Sequence, residues 1–391
     1  MVIISKPLFY DKIGPEVKCK NLIHSWTDSC VDANFTIILR YLVKGVFFFY
    51  LPIYLVKIIV NHRKIDKYDK NYFKNVIKAY LKSQMYGVAL GTLMASTICL
   101  STNFTGRLYY YGIGFLPGLM SGLSIFFEHP DNRHLNTLIW LNMVVEALFN
   151  NAYHFKFIEC SAVKETIIFM FASALLTHLL MTIDKKKIPI NIWCFKLFYT
   201  YYSFTNIYFT GFIGRAEFFK YLGIGCGISN ARYLISRTAN LFKNPIKTIF
   251  RSLFDRNNLK FSLVFGAYAG LFRIVSYTLH KSSQSTKTLN ATIAGFIAGI
   301  AYYINPTINI LTIAIITALQ MLCKQYLLKP KWSERIFFTE LLFMVSNGFL
   351  LHNRVAAPVT CPHYYLKMLK LASGGLIDQL YLNVIKNYIL A

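Results

Sequence analysis

Two thiols and an imidazole stand close together near the start of the chain, in Cys19-x4-His24-x-Trp26-x3-Cys30. Such groups can bind zinc, which takes thiolate and imidazole donors in a tetrahedron. A tetrahedron needs a fourth donor, and the neighbouring sequence offers none; His62, the next histidine, lies beyond the first apolar run. Cys19, His24 and Cys30 therefore form an incomplete metal candidate with two rivals. One is a packed juxtamembrane cap with Trp26 at the lipid boundary. The other is a Cys19–Cys30 disulfide, should this leader face an oxidising lumen.

A second group of chemically capable residues sits in or beside apolar runs: Glu128, Glu146, Glu165, Glu340 and Arg273. An ionisable group at membrane depth costs a few kcal/mol or more unless it is paired or watered. Glu146, inside Leu141-Asn-Met-Val-Val-Glu-Ala-Leu148, is the deepest of them. Glu146 and Arg273 are the candidates to line a polar groove for a lipid head, or to pair across two halves of the molecule. The plainer alternative is that each snorkels or hydrogen-bonds within a helix contact.

Catalytic signatures are missing. His24, His129, His134, His178 and His352 do not fall at metal-ligand spacing, and neither HExxH nor a phosphate-binding loop occurs. Gly223-Ile-Gly-Cys-Gly227 lacks the serine of a nucleophile elbow, and His129-Pro-Asp131 is too tight for an acyltransferase pair. The expectation is a protein without catalytic residues or a cofactor.

The elements that must position these residues are membrane helices. Of 391 residues, 55% are hydrophobic and only 15% charged, where a soluble domain carries about 25% charge. The net charge of +25 fits lysines and arginines flanking spans and facing anionic lipid. Nucleic-acid binding would need a basic soluble domain, which is not visible. Runs long enough to cross a bilayer are predicted at 36–60, 83–101, 108–127, 135–151, 164–183, 261–280, 289–304, 307–324 and 335–352. Residues 184–260 interrupt the series with basic and aromatic stretches, read as helices lying on the membrane surface. The excess of basic residues predicts a cytosolic middle segment and C-terminus, with the leader on the opposite side.

Small residues reveal an internal repeat. Gly87/Gly91 followed by Gly118/Gly122 recurs as Gly266/Gly270 followed by Gly295/Gly299, at nearly constant offset. Glycines at i and i+4 share one helix face and let another backbone approach closely. Pro130 and Pro306 follow the second helix of each half, and the fourth helices share Glu165…Met170…His178 and Glu340…Met344…His352. The predicted fold is all-α: two repeated four-helix units with glycine-mediated packing, plus one preceding helix. Its divisions are a Cys/His leader (1–35), a first membrane helix (36–60), a first repeat (83–183), an interfacial linker (184–260), a second repeat (261–352) and a tail (353–391). The repeats are expected to run parallel.

Longer stretches resemble the transmembrane protein 135 family, also called peroxisomal membrane protein 52. They are Cys19-Lys-Asn-Leu-Ile-His-Ser-Trp-Thr-Asp-Ser-Cys30, Phe49-Tyr-Leu-Pro-Ile-Tyr-Leu55 and Gly114-Phe-Leu-Pro-Gly-Leu-Met-Ser-Gly-Leu-Ser124. Phe265-Gly-Ala-Tyr-Ala-Gly-Leu-Phe-Arg273, Leu289-Asn-Ala-Thr-Ile-Ala-Gly-Phe-Ile-Ala-Gly-Ile300 and Ala357-Pro-Val-Thr-Cys-Pro-His-Tyr-Tyr-Leu-Lys-Met-Leu369 extend the likeness. The middle segment is shorter and poorer in cysteine than the family's, and the C-terminus stops earlier. A more distant likeness joins the glycine repeat to the mitochondrial inner-membrane import channels. The resemblance implies a multispanning protein of peroxisomes and mitochondria, with roles in organelle dynamics and in moving cholesterol or fatty acids. Its expected partners are membrane lipids, a sterol or fatty acid among them, and proteins at the cytosolic linker. Two rival readings are a scaffold or translocase-like module recruiting fission machinery through 215–260 (Arg232, Arg237, Lys243), and a solute transporter.

Overall fold

A computed structural model describes residues 4–12, 18–60, 70–159, 161–182, 210–236, 244–282, 286–322, 338–379 and 382–383. Among the described residues the chain is helix and turn, with no strand. The helices that carry the fold are α1 Val43–Val60, α2 Lys70–Thr105, α3 Phe115–Ser121, α4 Pro130–His154, α5 Ala162–Thr182, α6 Thr210–Ser236, α7 Arg256–Ser282, α8 Lys287–Ala298, α9 Ile308–Leu322 and α10 Phe338–Ala356. Pro130 begins α4, where its missing N–H costs nothing.

Among the described residues, three helical stretches are long and apolar enough to cross a membrane: Tyr72–Thr105, Ala162–Thr182 and Arg256–Lys281. Val43–Leu55, Phe115–Phe127 and Ile308–Leu322 are apolar but shorter. The glycine-rich runs predicted as spans at 108–127 and 289–304 are not single α-helices. The first opens with turns through Gly114 and tightens to a 3-10 helix over Gly122–Phe127; the second tightens over Gly299–Ile304. Both changes begin at the second glycine of a pair, where the facing backbone comes closest.

The chain forms two compact units, Met1–Phe157 with Ser333–Ala391, and Ile158–Trp332. The contiguous four-helix blocks expected at 83–183 and 261–352 are thus not the packed units. Each unit takes its fourth helix from the other half of the sequence. In the first, α10 lies against α3 and α4; in the second, α5 lies against α8 and α9. Glycine contacts explain the exchange. A Cβ at Gly118 would sit 2.7 Å from Gly348 Cα, and one at Gly122 would sit 2.6 Å from Met344 Cα, both on α10. A Cβ at Gly299 would sit 2.7 Å from Met170 Cα on α5, and one at Gly295 would collide with Thr177. Met344 and Met170 therefore occupy matching places in the two units.

The first glycine pairs mark a second matching contact. Gly87 and Gly91 on α2 receive Val46 and Leu42 from α1 and the turn before it. Gly266 on α7 faces Phe218 and Leu222 of α6, while Gly225 of α6 approaches Ser262 Cα. Residues 210–236 therefore pack lengthwise on α7, as α1 packs on α2, instead of lying apart as a surface helix. Gly270 is buried on α7. The Pro245–Leu253 helix is amphipathic: it buries Thr248 and Ser252 and exposes Ile246, Ile249, Phe250 and Leu253 beside Lys247 and Arg251.

Leader and tail meet in the first unit, contrary to the expectation that they lie on opposite sides. Ile4 N–H donates to Ala356 O at 2.8 Å, and Asn383 Nδ2 donates to Leu22 O at 3.4 Å. The tail turns back because His363–Ala372 is amphipathic. Its Tyr365, Met368 and Leu369 are buried, and its end at Ala372 closes on Gly45 of α1. Arg354, nearly buried, anchors the return through Asp378 at 3.0 Å.

Candidate functional site

The leader's thiols and imidazole converge in the first unit. Cys19 opens the short Cys19–Leu22 helix and Cys30 opens Cys30–Ile37, with a turn between them closed by Thr27 N–H on His24 O. Ser29 caps the second helix by accepting from Asp32 N–H. Cys19 Sγ and Cys30 Sγ are 3.6 Å apart, and His24 Nε2 is 3.5 Å from Cys30 Sγ. Cys99 of α2 completes the group, all four ligand atoms lying within 4.8 Å of one another. Cys19, His24 and Cys99 are buried and Cys30 half-buried.

Cys99 is the residue that sequence spacing missed. It sits far along the chain inside an apolar helix, where a lone cysteine reads as a small core residue. One helical turn on, Asn103 presents Nδ2 to Cys30 Sγ at 3.6 Å and Oδ1 to Cys19 Sγ at 3.8 Å. The pair Cys99 and Asn103 at i and i+4 was the available signal, since it puts two polar groups on one face of α2.

The acidic residues take up hydrogen bonds within helix contacts. Glu128, 1% exposed, accepts from Ser83 Oγ at 2.9 Å, His129 N–H at 2.8 Å, Asn132 Nδ2 at 3.2 Å and Asn136 Nδ2 at 3.3 Å. Tyr54 of α1 is 2.8 Å from the same serine oxygen. Since Ser83 gives its proton to the carboxylate, the tyrosine is the donor of that pair. Glu340 pairs with Arg133 at 3.5 Å, and Glu165 accepts from Tyr302 Oη at 2.9 Å. Glu146 is buried on α4 beside the returning tail. Burial pushes the Cys361 thiol up to about 12, Arg354 opposing the rise and Glu146 adding to it. Arg273 is on α7, so the two groove candidates belong to different units.

Both glycine seams carry a hydrogen bond at the same place. Asn347 of α10 donates to Gly118 O at 2.7 Å and to Ser121 Oγ at 2.8 Å, and accepts from Trp140 Nε1 at 3.0 Å. Ser173 of α5 donates to Gly295 O at 2.7 Å, with Tyr268 Oη 2.6 Å away. In each unit the first glycine of the second pair therefore gives its carbonyl to the exchanged helix.

An apolar crevice of about 470 Å³ opens beside the second seam. Thr166, Ile167 and Met170 of α5, Ala267 and Leu271 of α7, and Ile300 and Tyr303 after α8 line it. Met170 also closes on Gly299, so it belongs to both the seam and the crevice wall. Neither Glu146 nor Arg273 is among its lining residues. Arg237 and Lys243, assigned to partner recruitment, lie outside the described residues; Arg232 falls within α6.

No solved structure matches the chain. Residues 16–153, which hold Cys19, His24, Cys30 and Cys99, match the family model for the N-terminal cysteine-rich region of Transmembrane protein 135. Over residues 16–153 the chain carries the N-terminal cysteine-rich region of transmembrane protein 135, and its described residues include helices long and apolar enough to cross a membrane.

Proposed function

We propose that this protein holds an acyl chain or sterol within an organelle membrane and serves lipid handling and organelle dynamics there, without catalysing a reaction. The observation that carries this reading is the apolar crevice of the second unit. Its volume of about 470 Å³ lies within the ~300–1,000 Å³ of small-molecule sites, and its walls suit a ligand that brings almost no polar surface. Exposed apolar side chains on the flanking helix, Ile167 and Phe171, continue the crevice toward lipid. The family resemblance supports peroxisomal membranes, and mitochondrial ones with them.

Purified protein labelled with photoreactive fatty acid and sterol probes tests this reading. Labelling is expected on peptides containing Val163–Met170 or Ile300–Ile304. Ile167→Trp, which narrows the crevice from a half-exposed position, should reduce it several-fold while leaving the unfolding midpoint unchanged. Uniform labelling over all helices, unaltered by Ile167→Trp, would overturn the proposal.

One observation favours the scaffold reading. The Pro245–Leu253 helix shows bulky apolar residues and exposed Lys247 and Arg251 together, a surface for an anionic membrane or an acidic partner. Charge reversal at both positions should release a bound partner and leave lipid labelling intact.

A further inference from the structure

We infer that Cys19, His24, Cys30 and Cys99 bind one zinc ion, which fastens the leader to α2. A tetrahedral zinc with Zn–S near 2.3 Å and Zn–N near 2.0–2.1 Å sets two thiolates about 3.8 Å apart, and a thiolate and an imidazole nitrogen about 3.6 Å apart. Cys19 and Cys30 meet that demand at 3.6 Å, and Cys30 and His24 at 3.5 Å. With all four ligand atoms within 4.8 Å of one another, one metal centre reaches the whole set. A two-iron cluster would divide its ligands into two separated pairs, which this arrangement does not do.

The surroundings prepare the ligands. His24 Nδ1 is 2.9 Å from Thr27 O. A carbonyl can only accept, so Nδ1 carries the proton and Nε2 offers its lone pair toward the cysteines. Asn103 Nδ2 donates toward Cys30 Sγ, a contact that supports a thiolate. His24 is fully buried, and Cys19 and Cys99 are 5% and 3% exposed. Four protein ligands in a closed setting leave no position for water or substrate, so the ion is structural. Binding releases the three thiol protons to solvent and takes one zinc ion from it, with no change of oxidation state. The competing arrangement, a Cys19–Cys30 disulfide, would leave a buried imidazole and the Cys99 thiol facing it without a shared purpose.

Metal analysis of the full-length protein purified in detergent tests the inference. About one zinc per chain is expected, lost together with alkylation protection of Cys19, Cys30 and Cys99 when a chelator is added. His24→Ala should lose the ion. His24→Cys, which rebuilds a four-thiolate site, should retain it, and this positive result does not depend on a damaged variant folding. A Cys19–Cys30 disulfide by intact mass, iron in place of zinc, or zinc unchanged in His24→Ala would each overturn the assignment.

Discussion

The two units use the same glycine seam to different ends. In the first, the space around the seam is filled by Asn347, Trp140 and Ser121, and the Glu128 knot ties α1, α2 and α4 nearby. Leader and tail then cover this unit. In the second, Ser173 and Tyr268 make the seam's hydrogen bonds, and an apolar crevice stays open beside Met170. One packing solution thus occurs twice. The residues around it fill the space in the first unit and leave an apolar crevice beside it in the second.

The shared part of this comparison carries the largest expected effect. Gly118→Leu and Gly299→Leu should each destabilise by about 3 kcal/mol or more, because the added side chain meets backbone that cannot step aside. Loss of the folded peak in detergent size-exclusion chromatography would report it. Survival of either variant with an unchanged unfolding midpoint would show that the seams are not equally tight.

The polar contacts sharpen the contrast. Asn347→Leu strands the buried Trp140 N–H, while Gly118 O keeps Gly122 N–H and Ser121 Oγ, and is expected to cost about 1–3 kcal/mol. Ser173→Ala leaves Gly295 O bonded to Gly299 N–H and should cost about 1 kcal/mol or less. Thermal unfolding of the two variants side by side checks the order, and equal losses would break the distinction between a filled and an open seam.

The smallest effect belongs to the surface. Lys20 pairs with Asp28 near the metal candidate and holds its carboxyl below the usual range, by hydrogen bonding first and by charge second. A depressed carboxylate contributes its attraction at neutral pH and loses it as pH falls through the lowered pKa. Both groups are exposed and screened by salt, so Asp28→Asn is expected to leave the unfolding midpoint unchanged at neutral pH. A measurable drop would assign the leader's attachment to this ion pair instead of to the cysteines and His24.

Much of this was legible in the residues. The paired glycines disclosed the duplication, because a missing side chain leaves a period that composition alone does not. Helical character followed from length and hydropathy. The exchange of α5 and α10 did not, since Met170 and Met344 stand at like places in both halves and their spacing is silent about which glycine each will meet. Cys99 was hidden for a related reason: ligands brought together by tertiary packing leave no local spacing. The acidic residues were misleading in the opposite sense. Glu128, Glu165 and Glu340 look like polar intrusions in an apolar run, yet their partners are neighbouring Ser, Tyr, Asn and Arg side chains that no linear window selects.

The reciprocal placement of α5 and α10 has a bearing on biogenesis. During synthesis, α3 and α4 emerge well before the ribosome reaches Phe338, so their glycine surface must wait for a mate encoded some 200 residues later. α5 waits in its turn for α8. Until then both halves expose bare glycine grooves that an insertion factor or chaperone would have to shield. Severing the chain in the 323–337 stretch would therefore orphan the early half, whereas co-expressing the missing C-terminal piece should restore it.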